Sequence, residues 1–154
     1  MLRELNAFIT NPFLITAVSS WMIAQLLKLI ISTIINKNFD INRLFGDGGM
    51  PSGHSATVVS LAVASALHYG MGSFQFAIAA VLAIIVCHDA MGVRLETGKQ
   101  AAILNEIIQS AHIIVKRDLP ATKLKELVGH TPIQVFAGAA VGAANAVSMY
   151  FLLR

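Results

Sequence analysis

Residues 48–88 read GGMPSGHSATVVSLAVASALHYGMGSFQFAIAAVLAIIVCH, a run of 41 positions without a single Asp, Glu, Lys or Arg. A helix needs about 20 mostly apolar residues to cross a bilayer, so the run holds two crossings. The uncharged Gly70-Met71-Gly72-Ser73 marks a tight turn between them. They should occupy 53–69 and 74–90, short for spans but workable when helices pack together. Two more charge-free stretches, 5–27 and 127–153, leave room for one crossing each. Asn11 and Pro12 suit the start of the first, which continues to residue 35 through Gln25 and Lys28. Pro132 opens the last, over 132–153. All 19 charged residues therefore fall in the other 63 positions. Only 12% of the chain is charged and 56% is hydrophobic, against about 25% and 45–50% in soluble domains. That balance excludes an ordinary soluble enzyme. The expected fold is all-α: one integral membrane bundle of about four transmembrane helices spanning residues 1–154.

The polar remainder is organised. Residues 36–52 (NKNFDINRLFGDGGMPS) form a Gly-rich surface loop. The segment 94–126 holds more than half of the charges, yet Ile103, Ile107 and Ile114 alternate there with Asn105, Glu106 and Gln109. This pattern suits an amphipathic helix lying at the membrane interface better than a fifth crossing. In the last span, Gly138 and Gly142 have the GxxxG spacing that permits close helix contact. Internal packing is the preferred use, and a homo-oligomer seam is the alternative. Lone Cys87 excludes an intramolecular disulfide framework. A net charge of +3, dispersed along the chain, argues for lipid headgroups and against nucleic acid. Arg3 precedes an apolar stretch without a small-residue cleavage site, so the segment is expected to be retained.

Four crossings put loop 36–52 and segment 89–130 on one membrane face. Nine basic residues collect there (Lys28, Lys37, Arg43, Arg94, Lys99, Lys116, Arg117, Lys123 and Lys125), against Arg3 and Arg154 opposite. By the positive-inside rule this face is cytoplasmic, in a cell inner membrane.

The same face carries the candidate chemistry. In GGMPSGHSA (48–56), glycines precede Pro51, and Ser52, Gly53 and His54 stand where a helix begins. Inward-facing amides and a positive helix end make an anion site, and His54 adds a titratable proton donor. The alternative is a capped helix start with His54 at the interface. Asp89 and Arg94 end a charge-free helix; Arg94 can grip two phosphate oxygens, or the two can simply pair. Lys28 either snorkels towards the loop or joins Gln25 in a polar pocket. His130, just before the last span, either joins the site or sits beside a helix cap. His68, on the opposite face, and His112 are read as structural.

GGMPSGHSA, followed by DAMGVR (89–94), GKQAAILN (98–105) and LVGHTPIQV (127–135), closely resembles the divergent branch of the type 2 phosphatidic acid phosphatase superfamily. That group is related to acid phosphatases and vanadium haloperoxidases, and the likeness spans nearly the whole chain, Lys28 included. In the broader superfamily a Lys and an Arg of a first motif bind phosphate. The Ser, Gly and His of PSGH supply amides and the acid, and a third motif supplies an Arg and a nucleophilic His. Carried over, Ser52, Gly53 and Arg94 would bind phosphate, with His54 as acid. Two departures stand out. Val93 replaces the Ser before the Arg, and Gln100 occupies the nucleophile's place. The first motif is also loose, with five residues between Lys37 and Arg43 and no Pro following; Arg43 is its candidate, and Lys28 is the alternative phosphate cation.

The resemblance implies a metal- and cofactor-independent lipid phosphatase acting on a phosphomonoester such as phosphatidylglycerophosphate or phosphatidic acid. His54, Asp89 or His130 would supply the catalysis, with His88 or direct attack by water as further routes. Its phospholipid substrate would come from the membrane. The alternative is a catalytically inactive lipid-phosphate-binding or scaffold protein, for which Gln100 is the best support. A transporter is disfavoured, because few polar residues lie within the spans and no inverted repeat is evident.

Overall fold

The computed structural model describes residues 1–41, 48–115, 124–126 and 128–153, with nothing said of the side chains of 111–115. Arg43 lies outside the described residues. Among them are six helices and no strand: α1 (Leu2–Ile9), α2 (Pro12–Asn36), α3 (Gly53–Tyr69), α4 (Phe74–Met91), α5 (Val93–Val115) and α6 (Pro132–Leu152).

Local chemistry sets most helix starts. The Asn11 side chain accepts the amides of Phe13 (2.9 Å) and Leu14 (3.2 Å), with Pro12 at the first helical position of α2. Ser52 caps α3 through the Ser55 amide, and Ser73 caps α4 through the Phe76 amide. Each cap satisfies amides that the first turn leaves without partners. At the end of α3, Gly70 has φ 83°, a left-handed conformation that glycine adopts without steric cost.

The bundle is built inside out relative to a soluble protein. Its interior is built of small residues, apolar and polar: Ala24, Ala56, Ala64, Ala146, Ser20, Ser55 and Ser60 are all buried. Large apolar side chains point outward, with Ile84 68% exposed and Phe136 72%. Such a surface suits lipid tails, while small interior residues let helix backbones approach. By length and composition three helical stretches can cross a membrane: Pro12–Asn36, the α4–α5 run Phe74–Ser110, and Pro132–Leu152. The expected fourth crossing falls on α3, whose 17 residues rise about 25 Å. It is shorter than the others and packs against α2, α4 and α6.

Helix α5 follows α4 after a break at Gly92, whose amide bonds back to the His88 carbonyl at 2.9 Å. The amphipathic segment is thus helical over Val93–Val115. It is tied to residues 124–126: the Asn105 amide donates to the Leu124 carbonyl, and the Leu124 amide to Asn105 Oδ1, both at 2.9 Å. Helix α1 falls in a stretch for which no helix was expected.

The α3–α6 contact is the closest in the bundle. A Cβ at Gly138 would fall on the Ser52 carbonyl, and one at Gly142 on the Ala56 carbonyl. Both glycines are buried within the chain. Further along α6, Asn145 Nδ2 donates to Ser19 Oγ (2.9 Å) and Ser20 Oγ (2.8 Å) of α2.

A helical Gly→Ala change normally stabilises by about 1 kcal/mol, whereas overpacking costs about 1–3 kcal/mol. Gly138→Ala and Gly142→Ala should therefore lower the melting temperature in detergent, and Ala140→Leu on the exposed face should not.

Candidate functional site

The caps and the α3–α6 contact bring four chain segments to one end of the bundle. The Ser52 amide donates to the Gln134 carbonyl at 3.0 Å, joining the start of α3 to the first turn of α6. The His130 amide donates to the Ala90 carbonyl at 2.9 Å, joining the approach to α6 to the end of α4. Gly129, at φ 83°, lies so close to the Arg94–Leu95 backbone that a Cβ there would collide with it. On α2, Lys28 is 4% exposed, and its stem runs beside Gly49. The cation is thus turned towards the Gly-rich loop and lies within the polar cluster.

The His54 and His130 rings meet edge to face, with centroids 5.9 Å apart. His130 is 1% exposed. Its Nδ1 faces Gln134 Oε1 at 3.3 Å, and its Nε2 is buried with no hydrogen-bond partner. Buried polar atoms are seldom left so, and those that are call for an explanation. Burial is the main cause that holds the ring below the ordinary histidine pKa. The positive charges of Lys28 and His54 act in the same direction, while the Gln134 hydrogen bond and the Gly49 carbonyl oppose them. The Gly49 carbonyl also lies by the ring and favours its protonated form. A second buried acceptor without a partner, Gln25 Oε1, lies beside Gly53. Gly53 itself fits under the Trp21 indole, whose Cδ1 would be 3.2 Å from a Cβ there. A cavity of about 240 Å³ adjoins the cluster, lined in part by Lys28, Gly49, Met50 and Gln134.

Of the residues singled out in the sequence, Lys28, Ser52, Gly53, His54 and His130 come together. Ser52 is there as a structural member: its amide is bonded to Gln134, and its hydroxyl caps the Ser55 amide and accepts the Ser55 hydroxyl at 3.0 Å. Asp89 and Arg94 pair with each other, Nε to Oδ2 at 2.6 Å, with side chains 42% and 48% exposed. They form a half-exposed pair at the rim, whereas Lys28 and His130 are buried. Gln134 was not anticipated, although Thr131-x-x-Gln134 before an apolar run is the signature of a capping box. Among the described residues no three His, Cys, Asp or Glu side chains gather as metal ligands.

A family model described as the Divergent PAP2 family matches residues 9–145. The chain belongs to that family. It is 37% identical over 143 residues to the uncharacterized membrane protein YuiD of Bacillus subtilis (strain 168), covering 87% of this chain and 90% of the relative. No solved structure matches. Membership and the apolar helices agree on a membrane protein, and PAP2 kinship makes the polar cluster the natural place to look for phosphate chemistry.

The state of His130 has a consequence for stability. An unfolded histidine takes up a proton below about pH 6.5, whereas the folded ring, with its lowered pKa, stays neutral further down. The unfolded state then binds more protons, so this contribution is complete above about pH 6.5 and is lost as pH falls towards the folded pKa. Thermal melts of detergent-solubilised protein should show a loss as the pH falls below about 6.5 that His130→Asn reduces.

Proposed function

We propose that the chain is a membrane phosphatase that hydrolyses the phosphomonoester of a lipid, with His130 taking the part of the nucleophile missing at Gln100. The observation that carries this reading is the buried, unpartnered His130 Nε2 beside His54 and Lys28. A neutral imidazole nitrogen with its lone pair available is a nucleophile, and burial keeps the ring neutral. Lys28 and the first amides of α3 would hold the phosphoryl oxygens and stabilise the charge of transfer.

In the first step His130 Nε2 forms a bond to phosphorus as the ester P–O bond breaks, and His54 gives its proton to the departing lipid oxygen. In the second, water attacks phosphorus as His54 takes a proton from it. The P–N bond breaks, releasing inorganic phosphate and restoring both rings. Arg94 keeps its carried-over role by exchanging Asp89 for a phosphoryl oxygen, an exchange that costs little for a half-exposed pair. In this scheme Asp89 holds Arg94 at the rim and moves no proton. The charge count favours a cytoplasmic site, and hence lipid phosphates of that leaflet such as phosphatidylglycerophosphate or phosphatidic acid.

Purified protein in mixed micelles should release phosphate from one of these lipids. His54→Ala and His130→Ala should each reduce release by about 100-fold or more, and Asp89→Asn far less. Failure on every lipid phosphate would reject the proposal in favour of a binding protein that kept the pocket, the reading that Gln100 supports. An impermeant label reaching loop 36–52 from outside intact cells would overturn the orientation and the choice of leaflet.

A further inference from the structure

Gln134 stands at the centre of the polar cluster without touching the cavity through a charge. Its side-chain Oε1 has two neighbours: the Thr131 amide at 3.1 Å and His130 Nδ1 at 3.3 Å. A backbone N–H can only donate, so the amide atom facing Thr131 has to be the oxygen. That settles which way round the Gln134 amide sits. The same oxygen faces His130 Nδ1, and an oxygen can only accept. For this contact to be a hydrogen bond Nδ1 carries the hydrogen, and in a neutral ring the lone pair is then on Nε2. Nε2 is the buried atom left without a partner.

We infer that Gln134 is a positioning residue that locks neutral His130 in the Nδ1–H tautomer and so leaves the ring's lone pair on Nε2, the atom that the proposed reaction uses. The inference rests on the proposed phosphatase reading and extends it to a residue whose type and position the sequence resemblance did not single out. Its logic is that of an orienting group behind a catalytic histidine, here performed by a neutral amide. Neutrality matters in this setting. Lys28 on α2 and His54 on α3 both disfavour a proton on the ring, and the Gln134 bond and Gly49 carbonyl only partly oppose them. A carboxylate at position 134 would fix the same tautomer but also favour the imidazolium, which has no lone pair to offer. The main-chain carbonyl of Gln134 simultaneously holds the Ser52 amide, so one residue fixes the ring and the start of α3. Substituting its side chain leaves that second bond in place.

The test is long-range 1H–15N spectroscopy of the histidine rings in detergent-solubilised full-length protein without substrate, beside turnover of phosphatidic acid and phosphatidylglycerophosphate in micelles. Wild type should show His130 as the Nδ1–H tautomer. Gln134→Leu should populate the other tautomer and lower kcat by at least about tenfold with KM little changed. Gln134→Glu keeps an acceptor for both Thr131 and His130. It should retain the tautomer, recover kcat at higher pH, and move the acid limb of the pH–rate profile upward. A purely structural cap would give neither the tautomer change nor the shifted limb. Wild-type His130 in the Nε2–H tautomer, or Gln134→Leu leaving tautomer and kcat unchanged, would overturn the inference. A correct tautomer response with no lipid phosphate turned over would instead strike the proposed function alone.

Discussion

Helices α3 and α6 touch backbone to backbone, with no room for a methyl group between Gly138 and the Ser52 carbonyl or between Gly142 and the Ala56 carbonyl. In a bilayer such a contact draws its stability from close packing, since lipid tails solvate apolar side chains as well as a neighbouring helix does. The approach brings the Ser52 amide onto the Gln134 carbonyl and sets the His54 ring against His130. Had either glycine carried a side chain, the two histidines would be pushed apart together with the helices. The small-residue interior is thus the condition for the polar site as much as for the fold.

The electrostatics of that site follow from where it is buried. Enclosing the Lys28 cation and two imidazoles at one end of a membrane bundle disfavours further positive charge. His130 responds by remaining neutral. An anion entering beside Lys28 would relieve the crowding of positive charge, and this is the physical sense in which the cluster suits phosphate. The Asp89–Arg94 pair lies at the rim, where water screens it.

Much of this was legible from local signals. The charge-free stretches, the uncharged turn at 70–73, Asn11 with Pro12 and the helix start at 52–54 state the helices directly, because capping and hydropathy act over a few residues. PSGH at 51–54 marked one half of the site for the same reason. The other half depends on contacts far apart in sequence. That His130 would lie against His54 follows from α6 packing on α3, and GxxxG by itself is also consistent with a contact between two copies. Asp89 and Arg94 were expected either to bind phosphate or to pair, and five residues of separation at a helix end let them pair locally. Gln134 escaped notice because its capping-box pattern reports a helix start, and only the tertiary fold puts the same oxygen on a histidine.

The proposal that His130 replaces the absent nucleophile is tested most directly by rapid acid-free quenching of the protein during turnover of a lipid phosphate, followed by mass-spectrometric mapping of the phosphoryl group. A phosphohistidine at His130, absent in His130→Ala and accumulating when His54 is replaced by Gln and a good leaving group is supplied, is the predicted result. Phosphate release with the phosphoryl group on His54, or with no phosphorylated residue under any quench, would contradict it.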